Sequence, residues 1–226
     1  MLILTQHTDN YVNLLPLPTD TPFDYQLLMD RLEGRFGAPR NKIQALCRSG
    51  EIIRVKKGLY VPGSRPGQLP EIDPWVLSGL IYGPSYVSLE AALAYHGLIP
   101  ERVDEITCMT SKRARQFRTP LGRFNYTPIS EKAFPLGVRL ESGKGGSWFL
   151  AEPEKALCDR IAQVKGLQAM RDVPALLEDD LRIEPAALST FRLSMVQEIS
   201  SRYQRKNVTA FARWLEKNQT SISPTA

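Results

Sequence analysis

The chain has 226 residues and a formal charge of +5, with a sequence pI near 9.1. Its 42% hydrophobic and 23% charged residues are ordinary for a globular protein, and its length supports one large or two small domains with real cores. The cationic excess points to a polyanionic partner. Three distant cysteines, Cys47, Cys108 and Cys158, give no pairing or metal spacing and fit a reducing cytoplasm. The start of the chain lacks a charged and then apolar leader, and no run approaches ~20 apolar residues, so neither a signal peptide nor a membrane span is expected.

Residues 1–20 carry little pattern beyond Leu2-Ile3-Leu4 and the prolines Pro16 and Pro18. Thr21-Pro22-Phe23-Asp24 has the form of a helix start: a threonine cap, proline in the first turn and an acid three residues on. Tyr25, Leu28, Met29, Leu32 and Phe36 keep helical spacing up to Gly37, predicting a helix over about 22–35. A second helix is predicted over about 39–48. Pro39 suits its first position, Ile43, Leu46 and Cys47 share one face, and Gly50 ends it. Asn41, Gln44, Ala45 and Arg48 share the opposite face, flanked by Arg40 and Lys42. Glu51 to Val55 then reads as a strand, Lys56-Lys57-Gly58 as a turn and Leu59-Tyr60-Val61 as the return strand.

A short helix, a glycine and a basic hairpin form the sequence pattern of the recognition helix and wing of a winged helix-turn-helix. From Arg31 to Arg65, nine Lys/Arg stand against Glu33 and Glu51, a local balance of +7. The candidate DNA contacts are Arg40, Asn41, Lys42, Gln44, Arg48, Arg54, Lys56 and Lys57. Gln44 and Arg48 are placed for base edges; Arg40, Lys42, Lys56 and Lys57 are placed for phosphates. The same unit also serves as a protein–protein module. A full winged helix carries three helices before its wing; two are patterned here, and residues 6–15 are the candidate for the third.

Pro62, Pro66, Pro70 and Pro74, with Gly63 and Gly67, mark a linker. The expected division is a winged-helix domain over 1–67 and a second domain over 68–226. In the latter, Trp75 to Tyr82 reads as an apolar helix. Ser88 is placed to cap a helix whose Leu89, Ala92, Leu93 and His96 share one face, closed by Gly97. Strands are predicted at Ile106–Thr110, Leu121–Tyr126, Val138–Leu140 and Trp148–Leu150, with a turn at 142–147. Leu89, Leu93, Phe124, Phe149 and Leu157 are the predicted core. Helices are predicted over about 153–165, 173–180, 186–203 and 208–217, followed by a frayed tail. The expected fold class is therefore α+β: an N-terminal winged helix-turn-helix, then a mixed α/β domain with a helical C-terminus.

Catalytic chemistry is hard to find. There are two histidines: His7, in the unpatterned N-terminus, and His96, on the apolar side of a helix near its C-terminal end, where a structural role fits best. No HExxH, CxxC or GxSxG is present. Gly143-Lys144-Gly145-Gly146-Ser147 lies between two strands and lacks phosphate-loop spacing, so it reads as a hairpin turn. No nuclease-like carboxylate–lysine arrangement follows a strand, and Glu152, Glu154 and Lys155 read as charges at a helix start. No catalytic residue, metal or cofactor is expected. Lys112, Arg113, Arg115, Arg118 and Arg123, with no acid among them, are either a solvated loop and strand edge or a second polyanion contact.

Taken in order, RVKKGLYVP at 54–62, PSYVSLEAALAYHGLIPE at 84–101, the Thr110 to Arg113 stretch, TPLGRFNY at 119–126 and AEPEKALCD at 151–159 resemble the AbiEi family of antitoxins from bacterial abortive-infection systems. The resemblance spans roughly residues 24–165. It implies an N-terminal winged helix that represses its own operon at operator repeats. It also implies a C-terminal antitoxin domain counteracting an AbiEii-like nucleotidyltransferase toxin, without a stable complex between the two. With the missing catalytic and membrane signals and the cysteine usage above, the expected protein is non-enzymatic and cytoplasmic, with no membrane partner. The competing hypothesis is a nuclease-like nucleic-acid-processing enzyme targeted by a winged-helix module.

Overall fold

The computed structural model describes residues 17–63, 71–167 and 169–222. The candidate helix at 6–15, His7, most of the proline-rich linker and the end of the tail lie outside them. Helices and strands mix without regular alternation, an α+β arrangement. The chain divides into two compact units, residues 1–73 with 143–146, and residues 74–142 with 147–226.

The first unit contains β1 (Phe23–Asp24), α1 (Tyr25–Leu32), α2 (Pro39–Ser49), β2 (Ile52–Lys56) and β3 (Leu59–Pro62). The strands form a small antiparallel sheet in the order β1-β3-β2. The predicted first helix begins three residues late. Phe23 and Asp24 pair with Tyr60 and Leu59, and the cap is Asp24, not Thr21: its Oδ1 accepts from the Leu27 amide at 2.8 Å. Pro39 stands in the first turn of α2 and Gly50 caps its end. Ile43 and Leu46 are buried with Phe23, Leu28, Leu32, Ile52 and Tyr60, as the helical spacing requires.

The hairpin differs from its sequence reading in one detail. Arg54 pairs with Tyr60 and Lys56 with Leu59, leaving Val55 as the extra residue of a bulge. The bulge buries both Ile52 and Val55, three positions apart, and leaves Arg54 exposed. Lys56 is thus part of β2, and the turn is Lys57-Gly58, with Gly58 at φ 86°, where glycine carries no Cβ penalty.

The second unit opens with a 3₁₀ turn (Pro74–Val76) and α3 (Leu77–Ile81), where a single helix was expected. β4 (Ser85–Val87), α4 (Leu89–Tyr95), β5 (Glu105–Thr110), β6 (Arg115–Thr119), β7 (Gly122–Pro128), β8 (Val138–Gly143) and β9 (Gly146–Ala151) follow. They build one mixed six-stranded sheet, β6-β7-β5-β4-β9-β8. β4 runs antiparallel to β5 and parallel to β9; β7 runs parallel to β5 and antiparallel to β6. Beyond the sheet lie α5 (Pro153–Ala162), a 3₁₀ turn (Met170–Asp172), the short α6 (Val173–Ala175) leading into a π-helical stretch (Leu176–Asp180), a second 3₁₀ segment (Pro185–Thr190), α7 (Leu193–Tyr203) and α8 (Lys206–Ile222).

Of the predicted core, Leu89, Leu93, Phe124 and Leu157 are buried. Phe149 is not; it is 55% exposed. Side chains alternate along β9, so with Trp148 and Leu150 turned inward Phe149 faces the other way.

Lys155 is the largest departure from the sequence reading. It is no helix-start surface charge but a fully buried cation, paired at 3.0 Å with Asp159 one turn along, itself fully buried. Lys155 Nζ also donates to the Ala133 carbonyl at 2.8 Å and lies 4.8 Å from the Tyr203 ring centroid. Asp159 Oδ2 accepts from Tyr86 Oη at 2.9 Å and from Ser88 Oγ at 2.6 Å. Its Oδ1 accepts from Tyr203 Oη. Burial, reinforced by the Asp159 charge, pushes both tyrosine hydroxyls far up, so they stay protonated and donate. Ser88 precedes α4 as predicted, but its hydroxyl serves Asp159 rather than the helix. Gly137, at φ 62°, allows the chain to pass over this pair: a Cβ there would lie 2.9 Å from the Lys155 Cβ.

Glu154 is also buried. It accepts from both the main-chain N–H and the Nε of Arg192, each at 2.9 Å. Arg192 is thereby held extended, which splits the predicted 186–203 helix and starts α7 at Leu193. Asn207 Nδ2 donates to the carbonyls of Ile161 and Val164 at the end of α5. His96 Nε2 donates to the Ala151 carbonyl at 2.8 Å. Burial lowers its pKa, opposed by that bond, so the imidazole is held neutral and not favoured as the cation a helix end suggests.

Three substitutions check this core by urea unfolding. Leu93→Ala should cost ~2–5 kcal/mol, as for a buried leucine truncation; a loss below ~1 kcal/mol would contradict the burial. Lys155→Met should cost ~3–5 kcal/mol by stranding a buried carboxylate. Adding Asp159→Asn should recover part of that loss, because the amide is uncharged and its oxygen still accepts.

Candidate nucleic-acid interface

α2 and the β2–β3 hairpin enclose a groove of about 610 Å³. Arg40, Gln44 and Arg48 line it from the helix, and Arg54 and Lys57 from the hairpin. Its floor is Ile43, Cys47, Tyr60 and Tyr25. Positions 40, 44 and 48 follow the i, i+4, i+8 row of a helix, so their side chains project along one side. Gln44 Oε1 accepts from Arg48 Nη2 at 3.5 Å, a loose bond that leaves both groups able to meet other partners. Burial raises the Cys47 thiol and Tyr60 phenol pKa values, against the lowering influence of Arg54, so both stay protonated at neutral pH.

The other three candidates stand outside the groove lining. Asn41 is exposed near the start of α2. Lys42 is half-buried, with its ammonium 5.4 Å from the Phe36 ring centroid. Lys56 is half-buried in β2, while Lys57 is exposed at the turn. The groove therefore unites five of the eight candidates. Sequence reading missed the aromatic part of its floor, Tyr25 and Tyr60: one falls in a predicted helix and the other in a predicted strand, with no signal that both line one groove.

The second cationic cluster also has a defined geometry. Cross-strand pairing sets Arg115 opposite Tyr126, Phe117 opposite Phe124 and Arg118 opposite Arg123. Alternation then sends Arg115 and Phe117 to one face of the sheet, and Arg118 and Arg123 to the other. On the first face, Arg115 lies 5.9 Å from the Tyr82 ring centroid and 5.4 Å from that of Phe117. Lys112 lies 5.4 Å from Tyr82 and donates to the Gly83 carbonyl. Arg113 is exposed. Ion pairs among the described residues include none of these five cations. The expected loop and strand edge is thus a regular edge strand, β6, whose cations split between two faces.

Among the described residues, no cluster of three or more His, Cys, Asp or Glu could hold a metal ion, and no helix is long and apolar enough to cross a membrane.

No protein-family model and no curated protein matches the chain. Among solved structures, the crystal structure of the RV2827C protein from Mycobacterium tuberculosis aligns with 91% of this chain and 78% of its own, at 18% identity and a TM-score of 0.48.

Proposed function

We propose that the protein is a non-enzymatic, DNA-binding antitoxin of the AbiEi kind. In this reading the first unit is a winged helix-turn-helix that represses the operon encoding the protein and its toxin. The second unit counteracts a nucleotidyltransferase toxin in the cytoplasm. The observation that carries the DNA-binding part is the convergence of Arg40, Gln44, Arg48, Arg54 and Lys57 on one groove between helix and hairpin. A helix offering Gln44 and Arg48 has the groups that read adenine and guanine edges in a major groove. A hairpin tip with an exposed lysine suits the flanking phosphates. The antitoxin part rests on the ordered motifs between residues 54 and 159.

Fluorescence anisotropy with DNA from the upstream promoter tests the first part. Arg48→Ala should relax sequence preference at a cost of ~1–3 kcal/mol for a lost base contact. Lys56→Ala with Lys57→Ala should weaken binding to all sequences and flatten the salt dependence by ~1 per lost phosphate contact. Unchanged affinity and slope in the double variant would contradict the wing assignment.

Growth of cells making the adjacent toxin tests the second part. The full chain should restore growth. Arg113→Glu with Arg115→Glu should impair rescue at equal protein level if this cluster meets a polyanion; undiminished rescue would identify it as a solvated surface.

A further inference from the structure

The six-stranded sheet ends in two edges of different character. The β6 edge carries Arg115 and Arg118 and no acid. A second copy of this strand alongside it would add cations to cations with no acid to offset them, and charged residues of this kind keep sheet edges from joining. The β8 edge, Val-Arg-Leu-Glu-Ser-Gly, instead carries one cation and one anion two residues apart. Arg139 and Glu141 lie on the same face and pair at 2.7 Å. Two β8 strands running antiparallel about a two-fold axis at Leu140 would place Arg139 of each copy opposite Glu141 of the other. Leu140 would meet Leu140. Opposite charges directly across a strand pair are favourable, so this edge is complementary to itself.

The face bearing Leu140 adds a second argument. Ser142 Oγ and Ser147 Oγ meet at 2.8 Å between the neighbouring strands β8 and β9; alternation outward from that contact puts Leu140 and Phe149 on the same face. Leu140 is 61% exposed and Phe149 55%. Phe149 and Val138 also border an apolar cavity of about 380 Å³ with Phe134, Pro135 and Tyr86, so the apolar surface continues inward from the edge. Large side chains of this kind clustered beside a strand edge that is unpaired among the described residues mark an interaction surface rather than scattered exposure.

We propose that β8 is a self-association edge: two copies of this chain pair antiparallel through residues 138–142, join their sheets and cover Leu140 and Phe149. The occupant is a second copy because the edge matches its own charge pattern. The proposal stands independently of the DNA-binding reading. If both hold, the dimer carries two grooves, the number an inverted-repeat operator engages.

Sedimentation velocity over a micromolar concentration series tests it. A single short strand pairing lies at the small end of interface size, so association should be reversible and concentration-dependent. The expected result is a shift from the 25.4 kDa monomer toward twice that mass. Leu140→Lys should abolish the shift. Arg139→Glu should weaken association by about tenfold or more, because both symmetry-related charge pairs become repulsive. Adding Glu141→Arg to that variant exchanges the charges and should restore association, which a merely misfolded variant would not do. A protein that stays monomeric throughout the series would overturn the proposal. So would a dimer that neither Leu140→Lys nor Arg139→Glu weakens, or an association that the charge exchange fails to restore.

Discussion

A lysine and an aspartate with no solvent contact at all are the constraint around which the second unit is organised. Removing two such charges from water costs several kcal/mol each, so the pair persists only where every remaining lone pair and proton is met. Here that condition recruits much of the unit. Tyr86 comes from β4, Ser88 from the entrance to α4, Tyr203 from the end of α7, and the Ala133 carbonyl from the loop before β8. The pair itself spans one turn of α5. Central strand and flanking helices are thus held in one arrangement, because a shift of any of them would strand a charge or a hydroxyl. Nearby, Glu154 performs a similar task for the chain entering α7.

The first unit follows a different logic. Its core is a hydrophobic cluster, from Phe23 and Leu28 through Ile43, Leu46 and Ile52 to Tyr60. Its described cations are exposed or half-buried. The bulge at Val55 reconciles these demands within a short strand: it keeps two branched apolar residues inward and leaves Arg54 on the groove. The placement of Arg54 is therefore a consequence of packing. The groove is a surface set by core geometry, and its charge comes from what the core rejects.

What the sequence disclosed divides along the same physical line. Apolar spacing, β-branched runs, glycine breaks and the proline and acids at a helix start located α2, the hairpin, α4 and α5, because those signals are local. Five of the eight candidate DNA contacts lie together in the groove because helix spacing and the hairpin tip are local features. The signals failed where tertiary contacts decide. Ser85-Tyr86-Val87 is too short to show alternation, yet forms a central strand. Phe149 looked like core, but alternation on β9 turns it outward. Lys155 and Glu154 looked like exposed helix-start charges, because nothing local reveals the distant Tyr203 and Arg192 that accompany them. The break before Leu193 was hidden for the same reason. Buried polar networks join residues far apart in sequence, and periodicity cannot detect them.

The central functional claim is that the groove between α2 and the hairpin receives DNA. It is tested most directly by mapping backbone amide shifts of labelled protein on titration with promoter duplex. The account predicts the largest changes at Gln44, Arg48, Arg54, Lys57 and Gly58, falling away toward the buried face at Leu28 and Leu46. Tight binding with those amides unmoved, and the changes concentrated elsewhere, would contradict it.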